Sequence, residues 1–203
     1  MGLTLYGHQG TRSPLVNWGA YEVGLDLSMG DLEMNPHPFG QIPSLTDDED
    51  VLVFESGAIL QYLHCKTMDK LSKSQAAAVT SWITWANASL DPICFLETPE
   101  GKVYDTGLKK PNKRLDKVDE ILSSQKFLTG DDFTLADVAV ASYLLYVLQF
   151  FPGTDVSRWP SIVRYMKECA ERPAYAQAFG QNVQANVIGQ LNTDAPKKLF
   201  GMF

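Results

Sequence analysis

The sequence predicts an α/β N-terminal half joined to an all-α C-terminal half. Three observations carry this. Short apolar strand patterns alternate with helical ones up to about Leu63, every strong period after Ser74 is helical, and the change falls in a polar stretch, Cys65 to Ser74. The expected division is 1–65 as the first domain, 66–74 as linker and 75–203 as the helical domain.

In chain order, Leu3 to Tyr6 reads as a strand and Pro14 to Val23 as a helix, with proline at the opening turn where its missing N–H costs nothing. Ser44 to Thr46 and Val51 to Phe54 read as strands. Asp47-Asp48-Glu49-Asp50 between them reads as a polar hairpin turn with solvated acids rather than a metal site. A helix follows from Ser56 to Leu63. The second half offers helices over Gln75 to Leu96, bent at Asp91-Pro92, then Leu108 to Ser124, Leu135 to Phe151, Trp159 to Glu171 and Ala174 to about Val187. Thr98-Pro99-Glu100-Gly101, Pro152-Gly153 and Arg172-Pro173 mark the stops. Thr134-Leu135-Ala136-Asp137 has the form of a capping box, with Phe133 and Val138 spaced as a hydrophobic staple. Losing the Thr134 cap should cost about 1 kcal/mol. The run Val138 to Tyr146 is apolar nearly all round, which predicts the buried centre of the helical half.

A formal charge of −7 and a pI near 4.9 argue against nucleic acid or an anionic membrane as partner, since phosphate recognition needs a basic face. Lys109-Lys110 and Lys197-Lys198 read as solvated surface. Cys65, Cys94 and Cys169 are widely spaced and odd in number, which implies neither a disulfide framework nor a zinc site and fits a reducing, cytoplasmic setting. No apolar run reaches the length of a membrane span, and the chain enters a strand pattern at once without a basic leader; an organellar form whose presequence had been removed would begin the same way.

Gly40-Gln41-Ile42-Pro43-Ser44-Leu45 and Val53-Phe54-Glu55-Ser56-Gly57 carry the densest chemical signal. Pro43 cannot donate to a ladder, so it belongs at a strand start or edge, where the N–H and C=O of the preceding residue stay free for a ligand. Ser56 stands at the expected N-cap of a helix, whose N–H groups favour a carboxylate. A small carboxylate-bearing peptide suits both. Taken alone, Glu55 could be a solvated strand end and Ser56 a plain cap.

With these elements placed, the whole chain resembles the glutathione S-transferase superfamily. The resemblance rests on Leu3-Thr4-Leu5-Tyr6-Gly7, on Asn35-Pro36 with Gly40-Gln41-Ile42-Pro43, on Phe54-Glu55-Ser56-Gly57-Ala58-Ile59, and on Phe127-Leu128-Thr129-Gly130-Asp131 with Thr134-Leu135-Ala136-Asp137. Gly10-Thr11-Arg12-Ser13-Pro14-Leu15-Val16-Asn17-Trp18 looks most like the hydroxyl-using classes, theta-like or chi-like. The resemblance implies a thioredoxin-like N-terminal domain, an all-helical C-terminal domain and glutathione as co-substrate. It implies that Pro43 is a cis-proline, that Ile42 holds the cysteinyl part through its backbone, and that Glu55 and Ser56 bind the γ-glutamyl end. Only 15 residues separate Leu25 from Gln41, fewer than the family normally uses for a second strand and second helix, so His37 or Gln41 could stand in for the glycyl-end contacts, although His37, between two prolines, could equally be an exposed loop residue.

The first helix opens on Gly10-Thr11-Arg12-Ser13 with no cysteine, so the reacting sulfur must come from the ligand. Lowering a thiol pKa from about 8.5 to about 6.5 takes roughly 2.7 kcal/mol of preference for the thiolate. A hydrogen bond to a charged acceptor supplies about 1.5 to 3 kcal/mol, without a metal. Thr11 is slightly favoured over Ser13 as the donor, although either could instead cap the helix. Arg12 between them could add positive potential or pair with a glutathione carboxylate, or form a surface ion pair. The resemblance further implies attack on a hydrophobic electrophile in a cleft between the domains, near Tyr104, Trp85 and Phe95, and a homodimer built on the Gln75 to Leu96 helix. The rival reading is a non-catalytic assembly domain of the elongation-factor or synthetase-associated kind. Peroxidase, isomerase or dehalogenase outcomes share the same thiolate.

Overall fold

The computed structural model describes residues 2–48, 50–67 and 72–193. Glu49 of the expected turn, residues 68–71 of the expected linker and residues 194–203, with Lys197-Lys198, lie outside them.

Strands β1 (Leu3–Tyr6), β2 (Leu27–Met29), β3 (Ser44–Asp47) and β4 (Val51–Phe54) form one sheet in the order β2-β1-β3-β4. β1 runs parallel to β2 and antiparallel to β3, and β3 runs antiparallel to β4, with Leu5 opposite Leu45 and Ser44 opposite Phe54. A parallel pair requires a crossover, which α1 (Ser13–Glu22) supplies. Leu3 and Leu5 are buried while Thr4 and Tyr6 are half-buried, the period-2 alternation of a strand packed on one face. Between β2 and Gln41 there is only a single 3-10 turn, Leu32–Met34, which the Asp31 carboxylate caps by accepting the Glu33 N–H at 3.0 Å. The shortened segment expected from the residue count is therefore real.

Helix α2 (Ser56–Thr67) leads to α3 (Lys73–Trp85), a π turn at Ala86–Leu90 and the short α4 (Asp91–Cys94). Then come α5 (Lys113–Ser124), α6 (Leu135–Phe150), α7 (Pro160–Ala170), α8 (Pro173–Phe179) and α9 (Gln181–Thr193). All residues of α6 from Leu135 to Leu148 are buried, as its apolar circumference predicts. The Asp137 carboxylate closes the capping box by accepting the Thr134 N–H at 2.8 Å, and it also takes the Leu128 N–H at 2.9 Å. The two halves share one core. Gly19 of α1 lies so close to α2 that an added Cβ would stand 2.4 Å from Leu60 Cδ2, and Trp18 packs edge-on against Tyr175 of α8 at 5.1 Å.

Several expectations need correction. Asp47 is no solvated turn residue: it ends β3 buried, its carboxylate accepting the Tyr62 hydroxyl at 2.6 Å and pairing with Lys66 at 2.7 Å. The hydrogen bond from Lys66 holds its pKa below the usual carboxylate value. That pairing ties down the last turn of α2, which runs to Thr67 rather than stopping at Leu63. Ser72 and Gln75 form a full capping box that starts α3 at Lys73, a motif present in the sequence that periodicity passes over. The expected helix from Leu108 begins only at Lys113, because Pro111 disfavours helix at Lys110 and Asn112 caps the Arg114 N–H at 2.9 Å. A two-stranded ribbon, β5 (Leu96–Glu97) and β6 (Val103–Asp105), interrupts the helical half. The helix expected from Ala174 to Val187 is two, broken at Gly180 with φ 94°.

Candidate functional site

The cis Ile42–Pro43 bond puts Ile42 at the mouth of β3, ahead of Ser44. Asn35 builds the loop in front of it. Its side-chain N–H donates to the Gln41 carbonyl at 2.8 Å, and its Oδ1 accepts the Ser44 hydroxyl at 2.6 Å and the His37 N–H at 3.1 Å. His37, expected as an exposed loop residue or a ligand, is only 6% exposed and packs 4.8 Å from the Phe54 ring. Its Nδ1 accepts the Phe39 N–H at 3.0 Å, so the neutral ring carries its proton on Nε2 as a donor.

At the end of β4, Glu55 sits at φ 70°, a left-handed conformation rare for a non-glycine residue, and its carbonyl accepts the Ile59 N–H at 2.9 Å. Glu55 thus occupies the cap position by its backbone. Ser56, expected there, is instead the first residue of α2, where its N–H and that of Gly57 have no partner within the helix. The Ser56 side chain is buried, 3.4 Å from the Asn87 amide nitrogen.

Arg12 precedes α1. Its Nη2 meets Asp91 at 2.9 Å, and its guanidinium carbon lies 4.7 Å from the Phe95 ring centroid, 4.6 Å from Tyr143 and 5.7 Å from Tyr146. Such a cradle fixes the planar fork by cation–π contact. Among the described residues Arg12 Nη1 has no hydrogen-bond partner. Burial pushes the Tyr143 phenol up to about 12, so its hydroxyl stays protonated at neutral pH.

These groups border one cavity of about 430 Å³, lined by Arg12, His37, Gly40, Gln41, Ile42, Pro43, Glu55 and Ser56 with Asn87, Asp91 and Tyr143. Its walls come from both halves of the chain. Asn87, Asp91 and Tyr143 escape sequence reasoning. The first two reach the site because the π turn before Pro92 resets the helix, and Tyr143 lay within a run that signals only core.

Thr11 and Ser13 do not line the cavity. The Thr11 hydroxyl donates to the His8 carbonyl at 2.8 Å, and Ser13 Oγ lies 2.8 Å from Thr11 Oγ1, so Ser13 donates into Thr11. Thr11 also accepts the Ser13 N–H at 3.2 Å. Both hydroxyl protons are spent on the turn that opens α1. Tyr104 and Phe95 line an adjoining cavity of about 530 Å³ that shares Asn87 and Asp91 with the first. Trp85 does not; it borders a separate groove between α3 and α5 with Trp82 and Val118. No cysteine lines either cavity: Cys65 is exposed on α2, and Cys94 and Cys169 are buried, which pushes both thiols upward.

Residues 1–64 match the family profile described as glutathione S-transferase, N-terminal domain, and residues 71–173 match its C-terminal domain. The chain belongs to the glutathione S-transferase family. Among relatives, glutathione S-transferase GstB of Escherichia coli K12 is 29% identical over 168 residues, covering 75% of this chain and 79% of GstB. Human elongation factor 1-gamma is 26% identical across 71% of this chain, but the match spans only 35% of that protein. The Phanerochaete chrysosporium glutathione transferase URE2P6, solved in complex with oxidized glutathione, superposes with a TM-score of 0.71 at 25% identity, over 91% of this chain and 97% of its own. This glutathione S-transferase thus has the family's small mixed sheet and helical C-terminal domain.

Proposed function

We propose that the protein is a glutathione transferase in which Arg12, rather than a hydroxyl, stabilises the glutathione thiolate. The observation that carries this is a guanidinium locked by Asp91 and three aromatic rings, with one nitrogen that has no hydrogen-bond partner among the described residues, lining the cavity where cis-Pro43 and the start of α2 meet. The Ile42 backbone grips the cysteinyl unit. Glu55 faces the γ-glutamyl ammonium, the first N–H groups of α2 take its carboxylate, and His37 Nε2–H or Gln41 reaches the glycyl end. A charge-assisted hydrogen bond from Arg12, about 1.5 to 3 kcal/mol, covers most of the roughly 2.7 kcal/mol needed to bring the thiol to about 6.5.

The thiol proton leaves to solvent, and the sulfur forms a bond to the electrophilic carbon. The leaving group departs with its electron pair or, in an addition, water protonates the new carbanion. Positioning and thiolate stabilisation do the catalytic work. Peroxidase or isomerase chemistry would draw on the same thiolate. A homodimer and a cytoplasmic location accompany this reading, the latter supported by three cysteines that are all free.

Calorimetric titration with glutathione, run beside conjugation of 1-chloro-2,4-dinitrobenzene, tests it. Saturable heat with turnover supports the enzyme; absence of both would leave an assembly domain of the elongation-factor kind.

A further inference from the structure

The cavity beside the thiolate site has a charge signature of its own. It is walled by Pro92, Phe95 and Leu96 and edged by Tyr104, which is 60% exposed, and it carries two carboxylates, Asp91 and Glu97. Asp91 is neutralised by Arg12 at 2.9 Å. Glu97 is exposed and has no ion-pair partner among the described residues. Among the described residues Arg12 is the one cation lining either cavity, and Lys109 is held by Asp105 at 2.6 Å. An aromatic wall with one uncompensated negative charge, joined to the thiolate side through Asn87 and Asp91, favours a flat ligand carrying a cation and disfavours one carrying an anion.

We infer that the electrophile of this enzyme is an aromatic or unsaturated carbon compound bearing a cationic substituent, and that Glu97 selects for it. This rests on the glutathione transferase reading above. The reactive carbon faces the sulfur near Arg12, the ring lies along Phe95 and Leu96, and the cation projects toward Glu97 and the face of Tyr104.

The test uses 1-chloro-2-nitrobenzenes carrying trimethylammonium or sulfonate at the position para to chlorine. Each kcat/KM is divided by the uncatalysed rate with glutathione, which removes the difference in ring activation. The cationic compound should be preferred roughly three- to ten-fold, on the scale of an exposed charge pair reinforced by an aromatic face. Glu97→Gln should remove most of that ratio, whereas Glu171→Gln, an equal change in net charge outside the cavity, should leave it. Calorimetry of the two preformed S-aryl glutathione conjugates gives the same comparison without turnover. Equal normalised rates and equal conjugate affinities, or a preference unchanged by Glu97→Gln, would overturn the inference while leaving the transferase intact. No heat from glutathione or from either conjugate would overturn the transferase reading and this inference with it.

Discussion

Asp91 engages only part of the Arg12 guanidinium: Nη2 is bound to it, while Nη1 has no hydrogen-bond partner among the described residues. Replacing it should therefore act on the bound sulfur. In Arg12→Leu the pKa of enzyme-bound glutathione, read from thiolate absorbance against pH, is expected to return toward about 8.5, and kcat/KM at neutral pH to fall roughly 10- to 100-fold. Arg12→Lys keeps the charge but has no fork to hold Asp91 and the sulfur together, so it should recover only part of the loss. Thr11→Val and Ser13→Ala break a hydroxyl chain that ends on the His8 carbonyl, and should change kcat/KM far less than Arg12→Leu. A larger effect from either hydroxyl than from the arginine would return the thiol-activating role to the alcohol.

Single elements are held by groups that can be removed one at a time. Asp137 at the start of α6 accepts the Leu128 and Thr134 N–H groups, yet burial pushes its carboxyl up to about 6. Asp137→Ala leaves those donors unpaired and should cost about 2 to 5 kcal/mol in urea unfolding. The pH dependence has a definite sign. With a folded pKa near 6 against about 3.9 unfolded, the native state binds more protons between these values, so this group's contribution falls as pH rises through them. Unfolding free energy measured from pH 4 to 7 should show wild type losing about 2 kcal/mol relative to Asp137→Asn across that window. Gly180, at φ 94° and ψ 146° between α8 and α9, has nothing within 4 Å of the place a Cβ would occupy, so its constraint is the backbone alone. Gly180→Ala should cost about 1 to 3 kcal/mol.

Across the whole molecule, the two halves are tied by Arg172, which donates two 2.6 Å hydrogen bonds to Glu22 of α1 while its guanidinium lies 3.8 Å from the Phe133 ring centroid. The Trp18 indole N–H donates to the same carboxylate at 2.9 Å. Arg172→Met strands a largely buried carboxylate and should destabilise the protein by about 2 to 4 kcal/mol. Because the core runs through both halves, calorimetry should still show one unfolding transition rather than two. By itself, the sequence determined β1, β3 and β4, the helices α1, α2, α5, α6 and α7, the burial of α6, the proline edge at Ile42–Pro43 and the helix start at Glu55–Ser56, but not β2, the β5–β6 ribbon or the break at Gly180. These follow from local period, capping chemistry and backbone restriction, which act over a few residues. Only the tertiary structure decided that Arg12 meets Asp91, Phe95 and Tyr143, that the Thr11 and Ser13 hydroxyls bond to each other, and that Trp85 faces a different groove from Tyr104. The Thr11–Ser13 bond is local, but which way those hydroxyls turn is fixed by the loop in front of α1; the other contacts join residues distant along the chain, and their geometry depends on the π turn at Ala86–Leu90 and on how α6 packs against α1, which no local pattern encodes.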